Sequence, residues 1–389
     1  MANWRVLLGV LASLVFVTFL YSFQLNSLTG GLSKAESAYI QDNTYVQNIV
    51  EKPIFLLHKV LSFFASALDS SGSFARIPSV FLMILCLTCF YALVARWYTT
   101  RVALLTTLLL VTSSWTLTIG RQALPTTMYL GWLPVLALLY WTIARSKQSL
   151  GLILWVLSFG LALYVPGLLW FVIILAASQR KRLVSLVQNA AVLQLIVSIA
   201  CLLLLVVPYV FVLFQSPSTA VASLGLPTSV AQITSMPERL YRLILQIFVF
   251  SAGNPVFQLG HLPYLDVSSS ILFFLGLYRL RYSRERKMLA LSGVVASGWF
   301  IGVGLGAINL AIFLPLIYMF IGGGISFLLI QWFKVFPNNP VARVIGLVLM
   351  SSLVVVISFY HLTRYFIAWP MNPETRAAFS STNVKIDKK

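Results

Sequence analysis

The stretch AVLQLIVSIACLLLLVVPYVFVLF, from Ala191 to Phe214, holds no charged residue and shows no period-two alternation of apolar and polar positions. It is close to the ~20 residues a helix needs to cross a hydrocarbon layer, and far longer than one strand of a membrane barrel. Val6–Phe23 and Val102–Ile119 have the same character. Backbone groups in lipid must be paired inside the protein, so uninterrupted runs of this length have to be helices. Further apolar segments fall at about 78–95, 127–144, 150–164, 167–179, 267–280, 288–306, 309–331 and 343–363. The chain therefore reads as an all-α, polytopic transmembrane protein with about eleven spans. Its composition agrees: of 389 residues, 59% are hydrophobic and 9% charged, where a soluble domain carries ~25% charged residues.

A formal net charge of +18 would suggest nucleic acid in a soluble protein. Here the basic residues sit in short clusters between apolar runs, and topology explains them better. With the N-terminus inside, Arg5, Arg96, Arg101, Arg145, Lys147, Arg180, Lys181, Arg182, Arg279, Arg281, Arg284, Arg286, Lys287, Lys334 and Arg343 fall in inner loops, 15 of the 27 Lys and Arg. The positive-inside rule favours that orientation, which leaves the C-terminus outside. Eight of the nine acids, all but Glu285, then lie on the outer side. Acids contribute little to topology, so their one-sidedness needs another cause, and a functional outer face is one candidate.

The expected organisation is a single transmembrane domain over 1–369 followed by a short polar outer tail, 370–389, without fixed structure. No small-residue cleavage signature follows the first apolar run, so it reads as an uncleaved span. Two outer loops, 24–77 and 215–266, are long enough to hold structure. Pro53–Leu68 is apolar but too short to span and suits a helix lying in the interface, as does Glu238–Phe250. Tyr164-Val165-Pro166-Gly167 reads as a tight hairpin between two short spans. Cys86, Cys89 and Cys201 fall inside spans and read as packing residues; His58, His261 and His361 show no metal-ligand spacing, so no metal site is expected. Gly322, Gly323 and Gly324 suggest close helix packing, and Trp97, Trp115, Trp132 and Trp369 an interfacial belt.

Several short motifs follow in order: Ala35-Glu36-Ser37-Ala38-Tyr39, Glu51-Lys52-Pro53, Phe74-Ala75-Arg76-Ile77-Pro78-Ser79, Gly120-Arg121 and Leu124-Pro125-Thr126. Over about 30–145, and to about 180 with the hairpin, this order resembles the opening of GT-C superfamily membrane glycosyltransferases, in the branch of protein O-mannosyltransferases and aminoarabinose transferases. Members commonly show Asp-Glu-x-x-Tyr in the first outer loop, Glu-Lys-Pro before an interfacial helix, Ala-Arg-[Leu/Ile]-Pro-Ser entering the second span, and an Arg followed by Pro-Asp after the third. Two of their aspartates are absent here, where Ala35 and Thr126 stand.

The resemblance implies a glycosyltransferase that moves a sugar from a polyprenyl-phosphate donor to an acceptor on the outer face of a bacterial plasma membrane. Membrane lipid and the lipid-linked donor are the implied partners and nucleic acid is not; the donor is a substrate, and the resemblance leaves a divalent metal open. The acceptor hydroxyl needs a carboxylate to take its proton, and the lipid-phosphate leaving group needs cations near its oxygens. With Ala35 replacing the usual base, Glu36 or Asp42 takes that role. Tyr39, Glu51, Lys52 and Arg121 are the expected substrate-binding residues, while Arg76 reads as an anchor at a span end. The alternatives are a catalytically inactive GT-C-like protein that binds lipid or a partner, and a transporter or flippase. Ion-coupled transport is disfavoured because almost no ionisable residue falls at mid-span.

Overall fold

A computed structural model of the protein describes residues 4–43, 45–69, 72–144, 150–251, 253–280 and 286–379. The basic turns at Arg145 and Lys147 and at Arg281 and Arg284, and the tail beyond 379, lie outside the described residues. Among these residues the structure is helical and contains no strand.

The chain opens with α1 (Trp4–Ser22), then three helices of the first loop, α2 (Lys34–Asp42), α3 (Val46–Glu51) and α4 (Leu56–Leu68). The bundle continues through α5 (Gly72–Trp97), α6 (Thr100–Thr112), α7 (Ser114–Arg121), a 3-10 turn at Pro125–Leu130, α8 (Trp132–Ala144), α9 (Leu150–Ala162), α10 (Leu168–Ser178), α11 (Arg180–Gln188) and α12 (Val192–Gln215). The second loop holds α13 (Pro217–Ser223), α14 (Val230–Thr234) and α15 (Met236–Phe248). Then come α16 (Val267–Leu280), α17 (Arg286–Gly304), α18 (Leu314–Val335) and α19 (Pro340–Thr363), and after a π turn at Arg364–Ala368 the short α20 (Trp369–Met371) and α21 (Pro373–Phe379).

All the segments that read as spans are helical, but they are unequal. Four helices, Ser73–Trp97, Val192–Gln215, Leu310–Val335 and Pro340–Met371, are long and apolar enough to cross a membrane. A fifth is counted if α6 and α7 form one span, bent by 61° at Ser113. The others are shorter. α9 and α10 have 13 and 11 residues, which at 1.5 Å per residue is only about 20 and 17 Å of helix. Their hairpin closes at Gly167, which takes φ 80°, a conformation other residues rarely adopt. The hairpin is fixed from both sides: the Phe55 amide donates to the Tyr164 carbonyl at 2.7 Å, and the Trp299 indole donates to the Gly167 carbonyl at 3.1 Å.

The tightest crossing is between α16 and α18. A methyl group added at Gly276 would meet the Phe320 carbonyl, and one at Gly324 the Leu272 carbonyl, so the two backbones touch directly. Small residues at such a crossing let helices gain dispersion contacts that lipid does not replace. The expected packing role of the glycine run is met here.

Two expectations change. Trp97 faces outward at 49% exposure, but Trp115, Trp132 and Trp369 are buried. Each has a specific partner inside the protein: Trp132 donates to the Ile312 carbonyl, Trp369 to that of Pro255, and Trp115 stacks on Tyr264 at 4.2 Å. An indole satisfied in this way belongs to the core rather than to a headgroup belt. The tail is also partly ordered, because Phe379, 1% exposed, packs edge-on against Trp369 at 5.5 Å and holds α21 on the bundle.

Candidate functional site

The first loop is pinned at Glu36. Ser33 caps α2 and accepts from the Glu36 amide, while the Glu36 carboxylate accepts from the Ser33 amide at 2.8 Å, a reciprocal capping box that satisfies two otherwise orphaned groups. The same carboxylate receives the Arg76 guanidinium in two places, Nε to Oε1 at 2.9 Å and Nη2 to Oε2 at 3.0 Å. The Ala123 amide donates a further hydrogen bond to Oε1 at 2.8 Å. Glu36 is fully buried, and four donors converge on it. Arg76 also donates to the carbonyls of Leu25 and Gly31, so one ion pair ties together α2, the start of α5, the end of α1 and the segment after α7. Arg76 is thus a buried structural partner rather than a span-end anchor, a role its sequence position does not reveal.

A second chain of contacts runs beside it. Tyr39 Oη lies 2.9 Å from His58 Nδ1, and His58 Nε2 lies 2.8 Å from Ser79 Oγ. Ser79 in turn donates to the Leu124 carbonyl at 3.1 Å. Since the serine proton is committed to Leu124, Nε2 must donate and Nδ1 must accept from Tyr39. Burial favours the neutral imidazole and pushes His58 down to about 3. Burial likewise holds the Tyr39 phenol well above its usual value.

Asp42 ends α2 and is half-buried, and it lies within electrostatic reach of Lys59. Lys59 is buried on α4 and donates from Nζ to the Lys52 carbonyl at 2.7 Å. Its burial lowers the lysine below its ordinary value; Asp42 works against that shift and the charge of Lys52 adds to it. Glu51 and Lys52 are exposed, with Glu51 accepting from Gln47 at 3.0 Å.

Arg121, expected at a phosphate, is 2% exposed. Its guanidinium donates to the Leu20 and Phe23 carbonyls and lies 4.9 Å from the Phe366 ring and 5.5 Å from that of Tyr365. Arg76, Arg121 and Gln122 line a cleft, roofed by Tyr365, Trp369 and Phe379, with space for about one water. Ala35 is exposed and Thr126 half-buried.

The six residues expected to act therefore divide. Asp42 and Lys52 lie near Lys59, Tyr39 meets His58, Glu51 is exposed beside Gln47, Glu36 is held in the ion pair, and Arg121 is enclosed against the end of α1. His58 and Lys59 are additions that sequence spacing alone did not single out. Their signal was the amphipathic period of α4, which turns both inward.

A separate polar cluster joins the end of α19 to the start of α16. His361 Nε2 lies 3.1 Å from Asp266 Oδ1, and His361 Nδ1 lies 3.3 Å from Ser114 Oγ at the bend between α6 and α7. Asp266 also caps α16 by accepting from the Ser269 amide at 3.0 Å. Burial opposes its charge, but the bonds from His361 and Ser269 outweigh it and draw Asp266 down to about 2. Among the described residues no three His, Cys, Asp or Glu side chains gather as a metal site.

No protein-family model matches the chain, and neither a curated protein nor a solved structure matches it.

Proposed function

We propose that this protein is a multi-pass membrane glycosyltransferase of GT-C type, with about eleven crossings, the N-terminus on the cytoplasmic side and the C-terminus outside. It transfers a sugar from a polyprenyl-phosphate donor to an acceptor at the outer face. One observation carries the reading. Motif segments far apart in sequence are tied together, through Glu36 with Arg76 and Ala123 and through Tyr39, His58, Ser79 and Leu124. Packing alone gives no reason for three motif segments, Ala35–Tyr39, Phe74–Ser79 and Leu124–Thr126, to be joined by two adjoining polar networks, whereas a loop that must hold a reacting group in register does.

Within that reading the roles separate. Glu36 already accepts from four donors, so its part is to position α2. Asp42, half-buried at the C-terminal end of the same helix, is the base that takes the acceptor proton. Lys52 and Lys59 face the donor phosphate, where positive charge stabilises the leaving group. The measurement is transfer of radiolabelled sugar from a panel of polyprenyl-phosphate donors in vesicles containing the full chain. Donor-dependent product supports the proposal, and its absence across the panel rejects it.

A second reading has its own observation. Ala35 stands where members of the GT-C superfamily that the motifs resemble carry the loop aspartate, and the adjacent Glu36 is fully engaged in the scaffold. A chain that keeps the scaffold and binds lipid-linked sugar without transferring it fits those two facts, and saturable donor binding with no product would establish it.

A further inference from the structure

Helix α11 is an outlier in this bundle. It is a nine-residue helix, RKRLVSLVQ, with no buried residue. Leu183 and Leu186, three apart, are half-buried and pack against the core. Val184 and Val187 are exposed, at 53% and 46%, and stand on the same stripe as Arg180 four residues earlier. Arg180, Lys181 and Arg182 are all exposed. The exposed surface thus carries a stripe of two valines, with Ser185 and Gln188 beside it, and three cations at one end.

Its connections fix where that face lies. α11 follows the apolar α10 directly and leads through Asn189–Ala191 into α12, which is long and apolar enough to span a membrane but only 22% buried inside the bundle. Val192 and Leu193, at the first turn of α12, are exposed at 73% and 72%, so the apolar surface of α12 faces away from the bundle from its first turn. A helix held between two apolar helices, with bare valines beside an outward-facing apolar turn, lies along the edge of the hydrocarbon layer.

Charge selects the partner. The sequence contains no Asp or Glu between Asp69 and Glu238, and none of the ion pairs among the described residues involves α11. Three exposed cations that form no ion pair among the described residues, on a helix whose valines enter the acyl boundary, are complementary to phosphate headgroups. We infer that α11 is an interfacial docking helix for anionic phospholipid, its valines in the outermost acyl region and Arg180, Lys181 and Arg182 on the headgroup phosphates. This inference is independent of sugar transfer.

The test uses the full chain with Cys86, Cys89 and Cys201 replaced by alanine and a fluorophore on Val187→Cys. It is reconstituted in phosphatidylcholine vesicles containing a fraction of phosphatidylglycerol. Quenching by spin-labelled phosphatidylglycerol is compared with quenching by spin-labelled phosphatidylcholine, and the same label on Leu204→Cys of α12 reports correct insertion. Phosphatidylglycerol is expected to be preferred about threefold or more at Val187, with the preference lost in the Arg180→Gln, Lys181→Gln, Arg182→Gln variant. Equal quenching by the two lipids, or a preference that survives the triple substitution, overturns the assignment. Absence of quenching at Val187 with strong quenching at Leu204 also overturns it, as the signature of a protein partner covering α11.

Discussion

Glu36 and Arg76, forty positions apart, form a two-point ion pair whose side chains are 0% and 4% exposed. Removing one member leaves the other charged and buried, which costs about 3–5 kcal/mol. Glu36→Leu and Arg76→Leu should therefore each lower the unfolding midpoint of the purified protein in mild detergent by a wide margin. The double substitution Glu36→Leu with Arg76→Leu should cost less than the sum of the single losses. Additive losses would show that the pair is not coupled.

His58 sets a pH dependence. Its folded value of about 3 lies below the ordinary ~6.5, so above that ordinary value it contributes no pH dependence. As pH falls from about 6.5 toward 3 the unfolded chain takes up a proton that the folded chain refuses, and stability is lost by at most about 1.4 kcal/mol per pH unit. Thermal midpoints between pH 7.5 and 4 should fall for the wild type and fall less steeply for His58→Gln. Parallel slopes would remove His58 as the cause.

The α16–α18 crossing yields a stability comparison. Gly324→Ala forces a methyl group against the Leu272 carbonyl, and a backbone atom has little freedom to yield. The expected cost is about 1–3 kcal/mol, read as a lower midpoint of thermal unfolding. Gly293→Ala is the control, since a Cβ there meets nothing within 4 Å and helix propensity favours alanine by about 1 kcal/mol.

How far the sequence discloses this molecule follows from which forces act locally. Apolar runs such as Ala191–Phe214 declare helices because hydrocarbon leaves the backbone no other pairing, and the amphipathic faces of α4 and α15 are visible as periodicity. The break between α6 and α7 was not visible: Ser113 and Ser114 sit in a run that is apolar on both sides, and the bend depends on tertiary contacts such as Ser114 with His361. Burial of Trp115, Trp132 and Trp369 was missed for the same reason, since their indole partners come from distant segments. At the site, Glu36 was recognisable as a motif acid but its role was not, because the pairing with Arg76 is a contact across forty residues. Lys59, with a charge that turns inward against propensity, has no sequence signature apart from its helix face.

The central claim is that Asp42 is the base of sugar transfer, on a loop that Glu36 holds in place. The decisive measurement is the initial rate of transfer from a radiolabelled polyprenyl-phosphate sugar in vesicles, for the wild type and Asp42→Asn at matched folded fraction. The account predicts measurable wild-type transfer, and a loss of about 100-fold or more in Asp42→Asn with its unfolding midpoint unchanged. Transfer by Asp42→Asn at the wild-type rate would contradict it.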